Sequence, residues 1–198
     1  MQWTISDDER ACFAPDWAFS RELEAALSDL LRDRKPAKVL ELGAGLSSVL
    51  LLKYAAATGA NTIHLEQAGV AYGNLLGCLR MSNLPIAPVR LCDVRNEFYD
   101  VSPFADLQTP FDLVIIDGPR GSRARTCAKA VEFLQRVIGP RSAVIVDDTN
   151  RAPEAKLAWL IERWFGENHF KHVDVRDKTF THRSSTLLNP KSNQRPSR

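Results

Sequence analysis

The constraint that most limits this chain is the alternation of short apolar runs with helical patterns. "KVLEL" (38–42), "TIHLE" (62–66), "APVRLCD" (87–93), "FDLVIID" (111–117) and "SAVIVDD" (142–148) each read as a short buried strand. Between them lie stretches with helical spacing: 47–58, 69–81, 123–138, and a last one opened by Pro153 and faced by Leu157, Leu160, Ile161, Trp164 and Phe165. A further helix over 16–34, with Leu23, Ala26, Leu27, Leu30 and Leu31 on one face, precedes the first strand. Ser47 is the expected N-cap of the second helix and Gly59 its C-cap, while Gly139-Pro140 should stop the helix over 123–138. "KHVDVRD" and "FTHRSSTLL" are two strands too close in sequence for a crossover helix, so they must form an antiparallel hairpin.

Five β-then-α units and a hairpin predict an α/β protein. The architecture is a three-layer sandwich, a seven-stranded mostly parallel sheet with a C-terminal antiparallel β-hairpin and helices on both faces. The 198 residues suit one domain over 1–188, with an N-terminal helical segment (1–35) and a Rossmann-like core (36–188). "NPKSNQRPSR" (189–198) reads as a disordered basic tail. Lys plus Arg total 26 against 24 Asp plus Glu, a net charge of only +2, so nucleic acid is not an expected partner. Cys12, Cys78, Cys92 and Cys127 form no C-x-x-C pair and read as reduced, mostly buried thiols. The start, "MQWTISDDER", lacks a basic region followed by an apolar run, and no apolar stretch nears the ~20 residues of a membrane span. A soluble, cytoplasmic protein is expected, and nothing in the pattern specifies an oligomeric state.

In sheets of this kind a ligand sits beyond the carboxyl ends of the strands, near the switch point after strand one. Four sites follow strands. In "ELGAGLSS", Gly43 and Gly45 permit a tight turn and close approach, and the helix behind them presents free N–H groups to an anionic moiety. Glu66 ends strand two, about 20 residues past the glycines, where a carboxylate can accept two ribose hydroxyls. Asp93, after strand three, suits an adenine amine or a turn cap. "DGPRGSRAR" follows strand four with Asp117 at the mouth, and its Arg120, Arg123 and Arg125 are fitted to grip a carboxylate or phosphate. "VDDTNR" follows strand five. Asp117, Asp147 and Asp148 meeting at one mouth would repel unless a proton or a hard cation sat among them.

The order E-x-G-x-G, acid after strand two, acid after strand three, "FDLVIIDG" and terminal hairpin resembles the class I S-adenosylmethionine-dependent methyltransferases over roughly residues 36–188. The resemblance implies that Gly43, Ala44 and Gly45 lie against the methionine part of S-adenosylmethionine, with Glu41 at the family's acidic position and Ser47 at the helix start. It implies that Glu66 holds the ribose and that Cys92 and Asp93 contact the adenine. It also implies that Asp117 borders both cofactor and acceptor. A dinucleotide-binding Rossmann protein more often has a third glycine where Ser48 stands.

Metal-dependent catechol-type O-methyltransferases resemble the acidic ends of strands four and five, although they carry Asp-Asn where this chain has Asp147-Asp148. That likeness implies a divalent cation such as Mg2+ on Asp117, Asp147 and Asp148, and Asn150 is able to supply an amide oxygen in place of the family's Asn. The metal-free alternative is one Asp as general base. "DGPRG" with "DDTNR" also looks like polysaccharide-directed O-methyltransferases, which implies a sugar or uronate acceptor. The expectation is O-methylation of a small-molecule or carbohydrate hydroxyl, with Asp117, Asp147 and Asp148 catalytic and Arg120 and Arg123 orienting the acceptor. The alternatives are aminopropyl transfer on the same fold and a non-catalytic cofactor-binding module. Lids are not evident after strand five or within the hairpin, which leaves an open site. His64 is expected as a packed core residue, His169 and His172 as exposed, and His182 as distant from the site. Trp3, Phe13, Trp17 and Phe19 are expected to cover either the cofactor or one edge of the sheet.

Overall fold

The computed structural model describes residues 3–14, 19–67, 69–119, 126–166, 169–178 and 183–191. Helices α1 (Asp7–Ala11) and α2 (Arg21–Arg34) lead into β1 (Lys38–Leu42), α3 (Leu46–Thr58), β2 (Asn61–Glu66), α4 (Gly69–Met81) and β3 (Val89–Leu91). A small hairpin follows, β4 (Val94–Arg95) with β5 (Phe98–Tyr99). Then come β6 (Phe111–Ile116), α5 (Ala128–Val137), β7 (Ile138–Val146), α6 (Ala152–Phe165), β8 (Phe170–Arg176) and β9 (Ser184–Pro190). The main sheet has seven strands in the order β3-β2-β1-β6-β7-β9-β8. Neighbours pair in parallel from β3 through β7, and β9 runs against both β7 and β8. The sequence pattern therefore yields the expected α/β sandwich and hairpin.

Strand side chains alternate between faces, and the apolar runs fill both. Val39, Leu113, Ile115 and Ile145 pack with α2, α3 and α4. Leu40, Leu42, Val114, Ile116, Val144 and Val146 pack with α5 and α6. Polar residues on the first of these faces, Glu41 and His64, are therefore buried against α3 rather than solvated.

Several boundaries differ from the sequence reading. Helix α2 starts at Arg21, where the Ser20 hydroxyl accepts the Leu23 amide (3.1 Å), and residues 15–18, Trp17 among them, lie outside the described set. Helix α3 is capped by Gly45, not Ser47, because Ser47 has already joined the first turn. Helix α5 ends at Val137, ahead of the Gly139-Pro140 stop, and passes straight into β7. Proline has no N–H for the ladder, and the β6–β7 register shifts there, from Phe111↔Ile138 to Leu113↔Ala143. Asn189 and Pro190 belong to β9 rather than to the tail, since they pair with Lys171 and Phe170. Residues 192–198 lie outside the described set.

Helix α1 is absent from the sequence reading. A capping box builds it: Ser6 Oγ accepts from the Glu9 amide (3.2 Å) and Glu9 Oε2 accepts from the Ser6 amide (2.8 Å). Glu9 then ties this short helix to its neighbours, accepting from Lys53 Nζ of α3 (2.6 Å) and from Ser82 Oγ just past α4 (2.8 Å). Trp3 packs edge-on against Tyr54 at 4.8 Å between centroids, and Phe13 and Phe19 join the same cluster. These aromatics cover the α3 and α4 side of the sheet. His169 bonds Pro140 O through Nε2 (2.6 Å), and His172 is exposed between Glu162 and Asp174. His182 lies outside the described residues.

All four cysteines are free. Burial pushes the Cys78 thiol up to about 12 and the Cys92 thiol up to about 11, which makes both unreactive. Among the described residues no helix is long and apolar enough to cross a membrane.

Burial raises the Glu9 carboxyl pKa, but Lys53, the Ser6 amide and Ser82 together outweigh burial, so its net shift is below the ordinary 4.5. A depressed folded-state pKa contributes stability above the unfolded value and loses it as pH falls through the folded value. Glu9→Gln should therefore lower the stability measured by urea titration by about 2 kcal/mol near neutral pH. The difference from wild type should shrink as pH falls below 4.5. A difference that stays constant from pH 7 to pH 3 would contradict this account of the clasp.

Candidate functional site

The carboxyl ends of the parallel strands are stitched together by backbone amides. Leu65 O accepts from the amides of Gly43 (2.9 Å) and Ala44 (3.1 Å). Leu42 O accepts from Asp117 (2.7 Å) and Gly118 (2.6 Å), and Ile116 O accepts from Asp147 (3.0 Å). Glu66 O accepts from Cys92 (2.8 Å). Each strand end is thus fixed by the loop of its neighbour, and the loops after β1, β2, β3, β6 and β7 share one rim.

At the centre of this rim two turns touch through bare backbone. Gly43 has φ 93°, where a side chain is disfavoured. A Cβ placed on it would lie 2.6 Å from Gly118 N and 2.8 Å from the Asp117 carbonyl carbon. The constraint is mutual, since a Cβ on Gly118 would lie 2.9 Å from Gly43 Cα. The Tyr99 hydroxyl of β5 crowds the same point, so a Cβ on Gly118 would overlap it as well. Gly45 is different: its φ of −165° is ordinary extended backbone, and a Cβ there meets nothing within 4 Å. One glycine lets the two loops meet; the other leaves open space at the start of α3.

Beneath the loop sits Glu41, fully buried. It accepts from the Ser47 hydroxyl, from Ser48 Oγ (2.5 Å) and from the His64 ring at Nδ1 (2.6 Å). Ser48 Oγ in turn accepts the Gly45 amide (3.0 Å). Glu41 and Ser47, expected among the cofactor contacts, thus bond to one another inside the protein. The amides of Gly43, Ala44 and Gly45 are also satisfied internally. Within the first turn of α3 the Ser48 amide is also taken, bonding to Gly45 O (3.1 Å), which leaves the Leu46 and Ser47 amides, the first two of the helix, without a partner in the helix itself.

Glu66 ends β2, on the same strand face as His64, and is 7% exposed. Cys92 is buried with its sulfur 3.4 Å from Asp100 O, and Asp93 is exposed beside it. Asp117 is half-buried at the Gly43–Gly118 contact.

Asp147 and Asp148 diverge. Asp147 Oδ1 accepts from Ser185 Oγ (2.5 Å) and from the Asp148 amide (2.8 Å). Burial pushes its carboxyl pKa up, and the neighbouring Asp148 adds to this against the pull of Ser185 and Arg183. Asp148, at φ 55°, turns instead to Arg151 Nη1 (2.9 Å) and Arg183 Nε (3.9 Å). Asn150 Oδ1 accepts from the Ser184 amide (3.3 Å).

The residues do not fit the divalent cation expected on Asp117, Asp147 and Asp148. Among the described residues no three His, Cys, Asp or Glu side chains gather so as to hold one. The buried Asp148 Oδ1 has no hydrogen bond, but a guanidinium already supplies positive charge beside it. Arg120, Arg123 and Arg125 lie outside the described residues.

Asp147 lines a small open pocket with Ser20, Leu23, Asp177, Arg183, Ser184 and Ser185, between the start of α2 and the β8–β9 hairpin. Sequence reasoning missed His64, Tyr99, Arg183 and Ser185 as parts of this region.

No family sequence model matches the chain, and no curated protein matches it in sequence. Solved structures do match in fold. The O-methyltransferase TomG of Streptomyces achromogenes, solved with S-adenosylmethionine, superposes with a TM-score of 0.67 at 17% identity, over 93% of this chain and 88% of that one. The fold is that of the S-adenosylmethionine-dependent methyltransferases. The Podospora anserina methyltransferase PaMTH1, bound to S-adenosylhomocysteine, gives 0.64 at 18% identity over 94% and 89%. A precorrin-6y C5,15-methyltransferase of Geobacter metallireducens gives 0.60 at 19% over 95% and 97%. Methyltransferases acting at oxygen and at carbon are both among these structures.

The contact between the two loops predicts a contrast between glycines. Gly43→Ala combines a left-handed backbone with a clash against fixed backbone and should cost at least ~3 kcal/mol in urea denaturation. Gly59→Ala has a similar φ of 77° but nothing within 4 Å, and should cost only about 1 kcal/mol. Equal losses at the two positions would contradict the contact.

Proposed function

We propose that this chain is an S-adenosylmethionine-dependent methyltransferase acting on a hydroxyl of a small molecule or carbohydrate. The observation that carries this reading is the rim itself: two turns in backbone contact, an open helix start at Gly45, and a buried carboxylate, Glu66, ending the adjacent strand. The fold neighbours that contain S-adenosylmethionine or its demethylated product support the choice of cofactor. A single catalytic unit spanning the sheet and its hairpin fits their near-complete coverage of both chains.

When bound, the cofactor supplies a methyl on a sulfonium sulfur; an O–CH3 bond forms as the S–CH3 bond breaks, and the hydroxyl proton passes to a base. The chain's part is to align and deprotonate. Glu66 accepts the ribose hydroxyls, and the Asp93 edge after β3 borders the adenine. The first turn of α3 offers its amides to the carboxylate. Alignment of the acceptor oxygen with the methyl is a positioning task, and positioning alone is worth several kcal/mol of barrier.

For the base, Asp117 stands at the loop contact and Asp147 in the pocket under α2. A carboxyl with a raised pKa is a better proton acceptor than an ordinary one, which favours Asp147. The pocket beside it is lined by serine hydroxyls, carboxylates and Arg183, a surface that matches a polyhydroxylated acceptor. No step requires a metal ligand set.

Calorimetry should show S-adenosylmethionine and S-adenosylhomocysteine binding at micromolar Kd. Glu66→Ala should weaken both by about 10- to 100-fold, the value of one or two charge-assisted hydrogen bonds. A labelled methyl donor offered to panels of sugars, uronates and phenols should mark at least one. Asp147→Asn should then lower kcat by about 10²-fold or more with KM little changed. Binding of a nicotinamide dinucleotide in preference to the adenosyl compounds would overturn the reading. Cofactor binding with no labelled product from any acceptor would favour a non-catalytic module.

A further inference from the structure

His64 has no place in the chemistry above, yet it occupies an unusual position. It is fully buried in β2, directly across from Glu41 in the β1–β2 register. Its Nδ1 lies 2.6 Å from Glu41 Oε2, while its Nε2 is buried with no hydrogen-bond partner. An ionised carboxylate accepts only, so the ring facing it donates from Nδ1. A histidine serving merely as filler would bury one polar nitrogen for nothing, and an aliphatic residue would avoid that cost.

The donors around Glu41 differ in origin. Ser47 and Ser48 belong to α3, the helix that opens at the glycine loop, and would move with it. His64 comes from the sheet. A buried carboxylate takes its orientation from whatever donors it has, because leaving an oxygen unpaired is costly. The sheet therefore reaches the loop through a chain of hydrogen bonds. His64 donates to Glu41, Ser48 donates to Glu41, and the Gly45 amide donates to Ser48.

We propose that His64 is a positioning residue for the cofactor: its Nδ1–H holds Glu41 so that Glu41 locks the first turn of α3 and the Gly45 amide in the binding geometry. This rests on the methyltransferase reading of the rim. His64 touches neither cofactor nor acceptor and acts through Glu41.

Two substitutions separate this role from simple core packing. Asparagine places an amide N–H near the position of Nδ1; glutamine places it near that of Nε2. With S-adenosylhomocysteine as the probe, His64→Asn should bind within about threefold of wild type. His64→Gln should bind about 10- to 100-fold more weakly, the range for losing one charge-assisted hydrogen bond. In the cofactor-free protein, hydrogen exchange at the Gly45 and Ser48 amides should speed up in His64→Gln and stay slow in His64→Asn. If both variants match wild type, or both lose affinity equally while melting at the same temperature, the proposal fails. If wild type binds no S-adenosylhomocysteine, the methyltransferase reading fails and the exchange data still decide whether His64 holds the loop. Should neither variant fold, long-range 15N–1H spectra of the wild type decide. A ring protonated at Nδ1 supports the proposal, and one protonated only at Nε2 overturns it.

Discussion

The rim of this sheet depends on two peptide turns that touch without a side chain between them. Gly43 and Gly118 sit so close that a single added carbon on either would overlap the other's backbone. The contact holds because the same carbonyl, Leu42 O, accepts from both Asp117 and Gly118, while Leu65 O anchors Gly43 and Ala44. Backbone geometry, not side-chain chemistry, makes the floor of the site. The carboxylates are then distributed around that floor by strand register.

Glu41 links the floor to the core. A carboxylate with no solvent contact must find its hydrogen bonds inside the protein, and here it takes them from two serines of the loop's own helix and one histidine of the sheet. The turn after β1 is thereby bonded to the sheet without using the outer face of the loop. That division of labour leaves Gly45 open above while both Glu41 oxygens are bonded below.

Much of this was legible in the sequence, for physical reasons that can be named. The strands were legible because both faces of a central parallel sheet are buried, so "FDLVIID" and "SAVIVDD" are nearly unbroken apolar runs. The hairpin was legible from the short gap between its strands. Helix α1 was missed although Ser6-x-x-Glu9 carries a capping-box signature, because five residues give no periodicity to read. The two-residue strands β4 and β5 were missed for the same reason, and with them Tyr99 behind Gly118. Ser47 looked like a cap because a serine after a glycine loop usually is one; its hydroxyl is instead drawn inward by Glu41. Glu41 looked like a ligand contact, since pairing with His64 appears only once β1 and β2 are in register. The apparent triad of Asp117, Asp147 and Asp148 dissolves because Asp148 adopts a left-handed backbone and turns to two arginines. A sequence shows adjacent acids but not the direction each one faces.

The account stands on the claim that the Gly43–Gly118 junction is the bed of an adenosyl-sulfur nucleoside. A crystal structure of the chain grown with S-adenosylhomocysteine tests it most directly. The account requires the ribose on Glu66 and the amino-acid end over Gly45 at the start of α3. Density for the nucleoside anywhere else on the protein, or a loop that must rebuild and part from Gly118 to admit it, would contradict it.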